Sequence, residues 1–224
     1  MDNKRITIFA GHYGSGKTNV AVNYSLYLRN KYPEKEISIG DIDIVNPYFR
    51  SKDSMEILKD NSIRLISSEF ANSNVDLPAI PPETYALLDN KDMLGVIDVG
   101  GDDRGALALG RFAEKIAQEN DYEMLFVINK YRPLTETPQA AIEIMKEIET
   151  ACGLKFTAIV NNSNIGVLTK ENHIISSFSY AEKVSALSGL PIKFTGAEKS
   201  LAESLKGKAE NIFGMTLYVR QSFK

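Results

Sequence analysis

Residues Gly11-His12-Tyr13-Gly14-Ser15-Gly16-Lys17-Thr18 satisfy the pattern Gly, four residues, Gly-Lys-Ser/Thr of a phosphate-binding loop. Glycines let the backbone turn tightly and bring its N–H groups close to an anion without an intervening side chain. Lys17 supplies a cation for the outer phosphates of a nucleotide, and the Thr18 hydroxyl is suited to hold Mg²⁺. Tyr13, Ser15 and Asn19, within or just after the loop, belong to the same candidate cofactor-binding set. A Gly-rich strand-to-helix turn that only serves packing is the plainer alternative, but it does not require the Lys-Thr pair.

Two carboxylate segments follow. In Gly40-Asp41-Ile42-Asp43-Ile44-Val45-Asn46-Pro47, Asp41 and Asp43 are two apart and share a face if the strand continues. From the carboxyl edge of a sheet they can act together on a metal shell and an attacking water. A solvated acidic turn is the alternative. In Leu94-Gly95-Val96-Ile97-Asp98-Val99-Gly100-Gly101 an apolar run ends in an acid and two glycines, as a Walker B strand does. Asp98 is expected in the Mg²⁺ shell, and a Gly100 or Gly101 amide near the terminal phosphate.

The loop, Asp41-x-Asp43-x-x-Asn46-Pro47 and Asp98-x-Gly100-Gly101, in this order, resemble the MinD/ParA/CobQ-type nucleotide-binding family of the SIMIBI class, over nearly the whole chain. The resemblance implies a three-layer α/β fold with a mostly parallel sheet of seven or eight strands, ATP with Mg²⁺, and an ATP-dependent homodimer. It also implies that Asp43 orients the lytic water while Asp41 supports the metal. One residue departs: His12 stands where the family carries its signature lysine, which reaches the partner's nucleotide across the dimer. His12 either substitutes for it when protonated or is simply a loop side chain stacked beside the nucleotide or exposed to water.

A guanine-reading Asn-Lys-x-Asp is missing, since Asn129-Lys130-Tyr131-Arg132 ends in arginine; ATP is therefore expected rather than GTP. Asn161 and Asn162 end a strand where relatives place an amide that pairs with adenine, although an Asn-rich turn explains them as well. Arg104 and Arg132, just beyond strand ends, are placed to meet a charged partner or phosphate but read first as solvated surface arginines; Tyr48 and Phe49 read as edge packing or partner anchors, and neither His173 nor Cys152 has a motif around it.

Positioning these groups requires strands that end where the motifs begin. Short apolar runs alternate with helical spacing, the pattern of a parallel sheet flanked by helices. Strands are predicted at Arg5–Ala10, Glu36–Asp41, Ile63–Ser67, Leu94–Val99, Met124–Asn129, Phe156–Asn161 and Pro191–Thr195. Helices are predicted at Thr18–Lys31, Arg104–Asn120, Gln139–Ala151 and Ile174–Ser188. Leu107, Phe112, Ile116 and Ala117 form the packing stripe of the second. Phe70–Asn90, broken by Pro78, Pro81 and Pro82, reads as a loop over the sheet edge or a partner surface. The apolar but glycine-interrupted stretch Leu201–Lys224 reads as packing on the body rather than as a membrane helix.

The 224 residues show no internal boundary and are expected to form a single domain, residues 1–224. With 43% hydrophobic and 25% charged residues the chain is an ordinary globular one. A formal charge of −3 gives no general attraction for nucleic acid or anionic lipid. One cysteine excludes an intrachain disulfide and a Cys-rich metal site, and with no signal-like segment the expected location is cytoplasmic. The expected function is a Mg-ATP-binding ATPase that acts as a nucleotide-dependent switch on a protein partner, such as a metalloenzyme under maturation. An ATP-dependent ligase or kinase of the dethiobiotin-synthetase or cobyrinate-amidase type is the alternative.

Overall fold

The computed structural model describes residues 3–42, 52–67, 82–101 and 103–218. In chain order the elements are β1 (Ile6–Ala10), α1 (Lys17–Lys31), β2 (Ile37–Asp41), α2 (Lys52–Asp60), β3 (Ile63–Ser67), α3 (Pro82–Asp89), β4 (Leu94–Asp98), α4 (Asp103–Gly110) and α5 (Ala113–Glu119). There follow β5 (Tyr122–Ile128), α6 (Pro138–Cys152), β6 (Ala158–Asn161), α7 (Glu171–Ser188), β7 (Ile192–Glu198), α8 (Lys199–Ser204) and β8 (Ile212–Met215). The strands form one sheet in the order β3-β2-β4-β1-β5-β6-β7-β8, and all neighbours are parallel. The α/β class and the eight-stranded parallel sheet agree with the expectation from sequence.

Both faces of the sheet are apolar because successive side chains point to opposite sides and each side meets helices. Ile6, Ile8, Met124, Phe126 and Ile128 pack against Leu109 and Phe112, Met145 of α6 and Val184 of α7. Phe9, Leu125, Val127 and Val160 face the other way, onto Val20, Tyr24 and Leu28 of α1. Helix α6 begins as its sequence suggests, with Pro138 in its first turn and Thr137 Oγ1 accepting from Ala140 N. It ends at Gly153, whose φ is 76°.

Several expectations need correction. The helix predicted over Arg104–Asn120 is two, separated at Arg111-Phe112. A Cβ on Gly110 would stand 3.3 Å from Ala151 O, so α4 closes against the end of α6 at that point. The chain then turns Phe112 inward while Leu107 stays 60% exposed and Ala117 is exposed too. Residues 82–89 of the supposed loop Phe70–Asn90 form α3, which opens on a proline, as a first helical position permits; residues 70–81 lie outside the described residues. The tail contributes an unforeseen strand, β8, parallel to β7. Among the described residues no helix is long and apolar enough to cross a membrane.

Candidate functional site

Strands β1 and β4 are neighbours, and each ends in a motif. The loop Gly11–Gly16 leaves β1 and enters α1, whose first turn contains no acidic residue and whose Gly16 provides no side-chain cap. That leaves the first backbone N–H groups and the positive end of the helix without an acidic side chain or side-chain cap of the helix's own, the arrangement that suits an anion. Gly14 and Gly16 have φ of 78° and 85°, in the left-handed region. A Cβ on Gly16 would strike Asn162 Nδ2, and one on Gly11 the Val127 carbonyl. Inside the loop Ser15 N donates to His12 O at 3.1 Å and Lys17 Nζ to the same oxygen at 3.4 Å. Lys17 is 7% exposed, its ammonium held over the loop. His12 turns its ring back to Tyr13 O at 3.0 Å, and Tyr13 is half exposed.

At the end of β4, Asp98 Oδ2 accepts a hydrogen bond from Thr18 Oγ1 at 2.6 Å. Asp41, the last residue of β2, is the paired position of Asp98 on the adjacent strand, and both acids are buried. Two paired carboxylates and a hydroxyl form an all-oxygen donor set, which fits a hard divalent cation such as Mg²⁺. Among the described residues no group of three or more His, Cys, Asp or Glu side chains gathers as a metal site. Gly101 lies on the loop: a Cβ there would stand 2.7 Å from Tyr13 N and 3.0 Å from Lys17 Nζ. Asp43, with Asn46, Pro47, Tyr48 and Phe49, lies outside the described residues.

The two asparagines at the end of β6 separate. Asn161 is fully buried and its amide is committed inward, donating to Ser177 Oγ at 2.9 Å while its Oδ1 accepts from Ser163 Oγ at 2.7 Å. Its carboxamide is thus occupied by the neighbouring serines. Asn162 instead donates Nδ2 to Ser15 O at 2.7 Å, and its buried Oδ1 has no hydrogen-bond partner among the described residues. It faces a cavity of roughly 350 Å³ beside the loop, lined also by Gly14, Gly16, Asn19, Asn164 and Gly196.

Sequence reasoning missed part of this site. Arg132, expected on the surface, is half buried, lines the cavity and donates Nε to Gly14 O at 2.8 Å. The signal was its place in Asn129-Lys130-Tyr131-Arg132, just beyond β5. Glu198, Met215 and Leu217 also line the cavity, and no local pattern marks them. Arg104 is exposed, as expected; Cys152 is buried; and His173 Nδ1 accepts from Lys170 N at the start of α7.

No protein-family model matches the chain, and no curated protein matches it in sequence. Solved structures do match its fold. The Signal Recognition Particle 54 kDa protein of Aeropyrum pernix, solved in complex with GDP, is 16% identical with a TM-score of 0.58 over 89% of this chain and 43% of its own. The cell division protein FtsY of Thermotoga maritima is 19% identical, TM-score 0.57, over 88% of this chain and 62% of its own. FtsY of Mycoplasma mycoides is 18% identical, TM-score 0.54, over 85% and 59%. The chain thus spans less than two thirds of each of these proteins.

Proposed function

We propose that the chain binds a Mg²⁺-nucleotide over Gly11–Thr18 and hydrolyses it slowly, as a switch read by a protein partner. The observation that carries this reading is the 2.6 Å hydrogen bond from Thr18 to Asp98, which joins the loop motif to the strand motif at the head of α1. In this reading Thr18, Asp98 and Asp41 hold Mg²⁺, which when bound neutralises phosphate charge. Lys17 and the loop amides grip the outer phosphates, Gly101 adjoins them, and Asp43 orients the attacking water. The fold shared with the signal-recognition proteins supports a nucleotide switch, and Tyr13, Leu134, Val167 and Leu168, exposed on loops beyond the carboxyl ends of the strands, suit a partner surface. We assign the client to the class of metalloenzymes under maturation.

ATP is the nucleotide we assign, because Arg132 occupies the place where a guanine-reading acid would stand. GTP is the second reading, favoured by the GDP in the Aeropyrum pernix structure. Calorimetric titration of the protein with ATP, GTP and a non-hydrolysable ATP, each with Mg²⁺, decides between them. ATP-selective binding supports the assignment; GTP selectivity reverses the choice of base; no binding by either overturns the function.

A further inference from the structure

The carboxyl edge of the sheet divides at β1. Asp98 and Asp41 lie on the β4-β2 side, whereas the cavity lies on the side of β6, β7 and β8. Phosphates seated on the loop with a cation at Asp98 therefore leave the nucleoside half of the ligand in the cavity. Met215, the last residue of β8, and Leu217, just beyond it, are two residues of that cavity's wall.

Side chains of α1 hold that segment. Asn23, buried in the second turn of the helix, donates Nδ2 to Thr216 O at 2.8 Å and accepts from Thr216 N at 2.9 Å. The carboxamide so pairs with a backbone as a neighbouring strand would. Asn19, one turn earlier, accepts from Tyr218 N at 3.0 Å, and its carbonyl receives a second bond from Asn23 Nδ2 at 2.8 Å. A Cβ on Gly196 would stand 2.7 Å from Met215 Cε and 2.9 Å from Asn162 Oδ1, so β7 is bare where the wall closes. The helix that begins at the phosphate loop thus carries the opposite wall of the cavity on two asparagines.

Resting on the nucleotide reading above, we propose that Asn19 and Asn23 are positioning residues that pin residues 215–218 as the nucleoside-gripping wall. The position of this segment sets affinity for the nucleoside half of the ligand and leaves the grip on phosphate unchanged. A tether that only anchors the last strand is the alternative, and it makes no distinction between ligands with and without a nucleoside.

The test titrates wild type, Asn23→Ala and Leu217→Ala with MgATP and with magnesium tripolyphosphate by calorimetry, with thermal melts of each protein. Leu217 lies on the half-buried segment, so its variant remains informative if Asn23→Ala folds poorly. The expected result is about a tenfold loss of ATP affinity in both variants, with tripolyphosphate affinity within about twofold of wild type. Equal losses for both ligands, or ATP affinity unchanged in both variants, overturns the proposal while the nucleotide reading stands. A wild-type protein that binds neither ligand overturns that reading as well, and the two failures are thereby told apart.

Discussion

Thr18 and Asp98 are 80 residues apart in the chain, yet their side chains meet. Each was legible because its motif is local: a loop pattern needs eight residues, and a strand ending in an acid needs five. The choice between Asn161 and Asn162 was not legible, since neighbouring strand residues point to opposite sides and an Asn-Asn pair contains no mark of which side faces the ligand. Arg132 was misjudged for the same kind of reason: its partner, Gly14 O, is 118 residues away. Lys17→Ala is expected to weaken MgATP binding by about 10- to 100-fold, the effect of losing hydrogen bonds to a charged group. Thr18→Ala should lose Mg²⁺-dependent affinity while retaining metal-free binding; calorimetry with and without Mg²⁺ checks both. Asp43→Ala is expected to bind ATP normally and to lose most hydrolysis, which a phosphate-release assay reads against the binding curve.

Among the elements, strands bounded by apolar runs were placed to within two residues at their starts, and β3 matched at both ends. Elements defined by contacts rather than by pattern were not: the break between α4 and α5 follows from Gly110 against α6, and β8 is a four-residue edge strand with a glycine inside. The amino edge of the sheet holds its own cluster. Arg5, buried, bonds the carbonyls of Leu87 and Leu88 at the end of α3 and pairs with Glu119 at the end of α5, which Lys91 also reaches. The Arg5 hydrogen bond, with Lys91 beside it, holds the Glu119 carboxyl below the usual carboxylate range. A carboxyl depressed in the folded state stabilises above its unfolded value, near pH 4.3, and that contribution disappears as pH falls through the folded value. Glu119→Gln is therefore expected to destabilise by about 1–3 kcal/mol at pH 7, and the gap to wild type should narrow progressively below about pH 4 in urea melts.

For the molecule as a whole, the acidic and near-average composition agreed with a globular α/β fold but carried no information about the order in which its strands sit. That order arises from crossovers that no local residue records. It places the loop after β1 between the acids of β4 and β2 and the cavity beside β6 and β7. If the proposed switch acts through self-association, light scattering should show a doubled mass with non-hydrolysable ATP, reversed by ADP. A constant mass would assign the exposed apolar loops to a different partner. Cys152, its thiol pushed up by burial, should resist alkylation in the native protein and react at once in denaturant, which mass spectrometry can follow.

The position of β1 also bears on how the molecule assembles during synthesis. β1 has no neighbour until residues 94–98 and 122–128 have followed it, so its loop stays without a frame until those residues are made. Residues 212–218, the last stretch described, pair only after β7 is in place. On the proposed reading, a nascent chain thus completes the frame of the phosphate cradle before residues 212–218 can close the wall for the nucleoside.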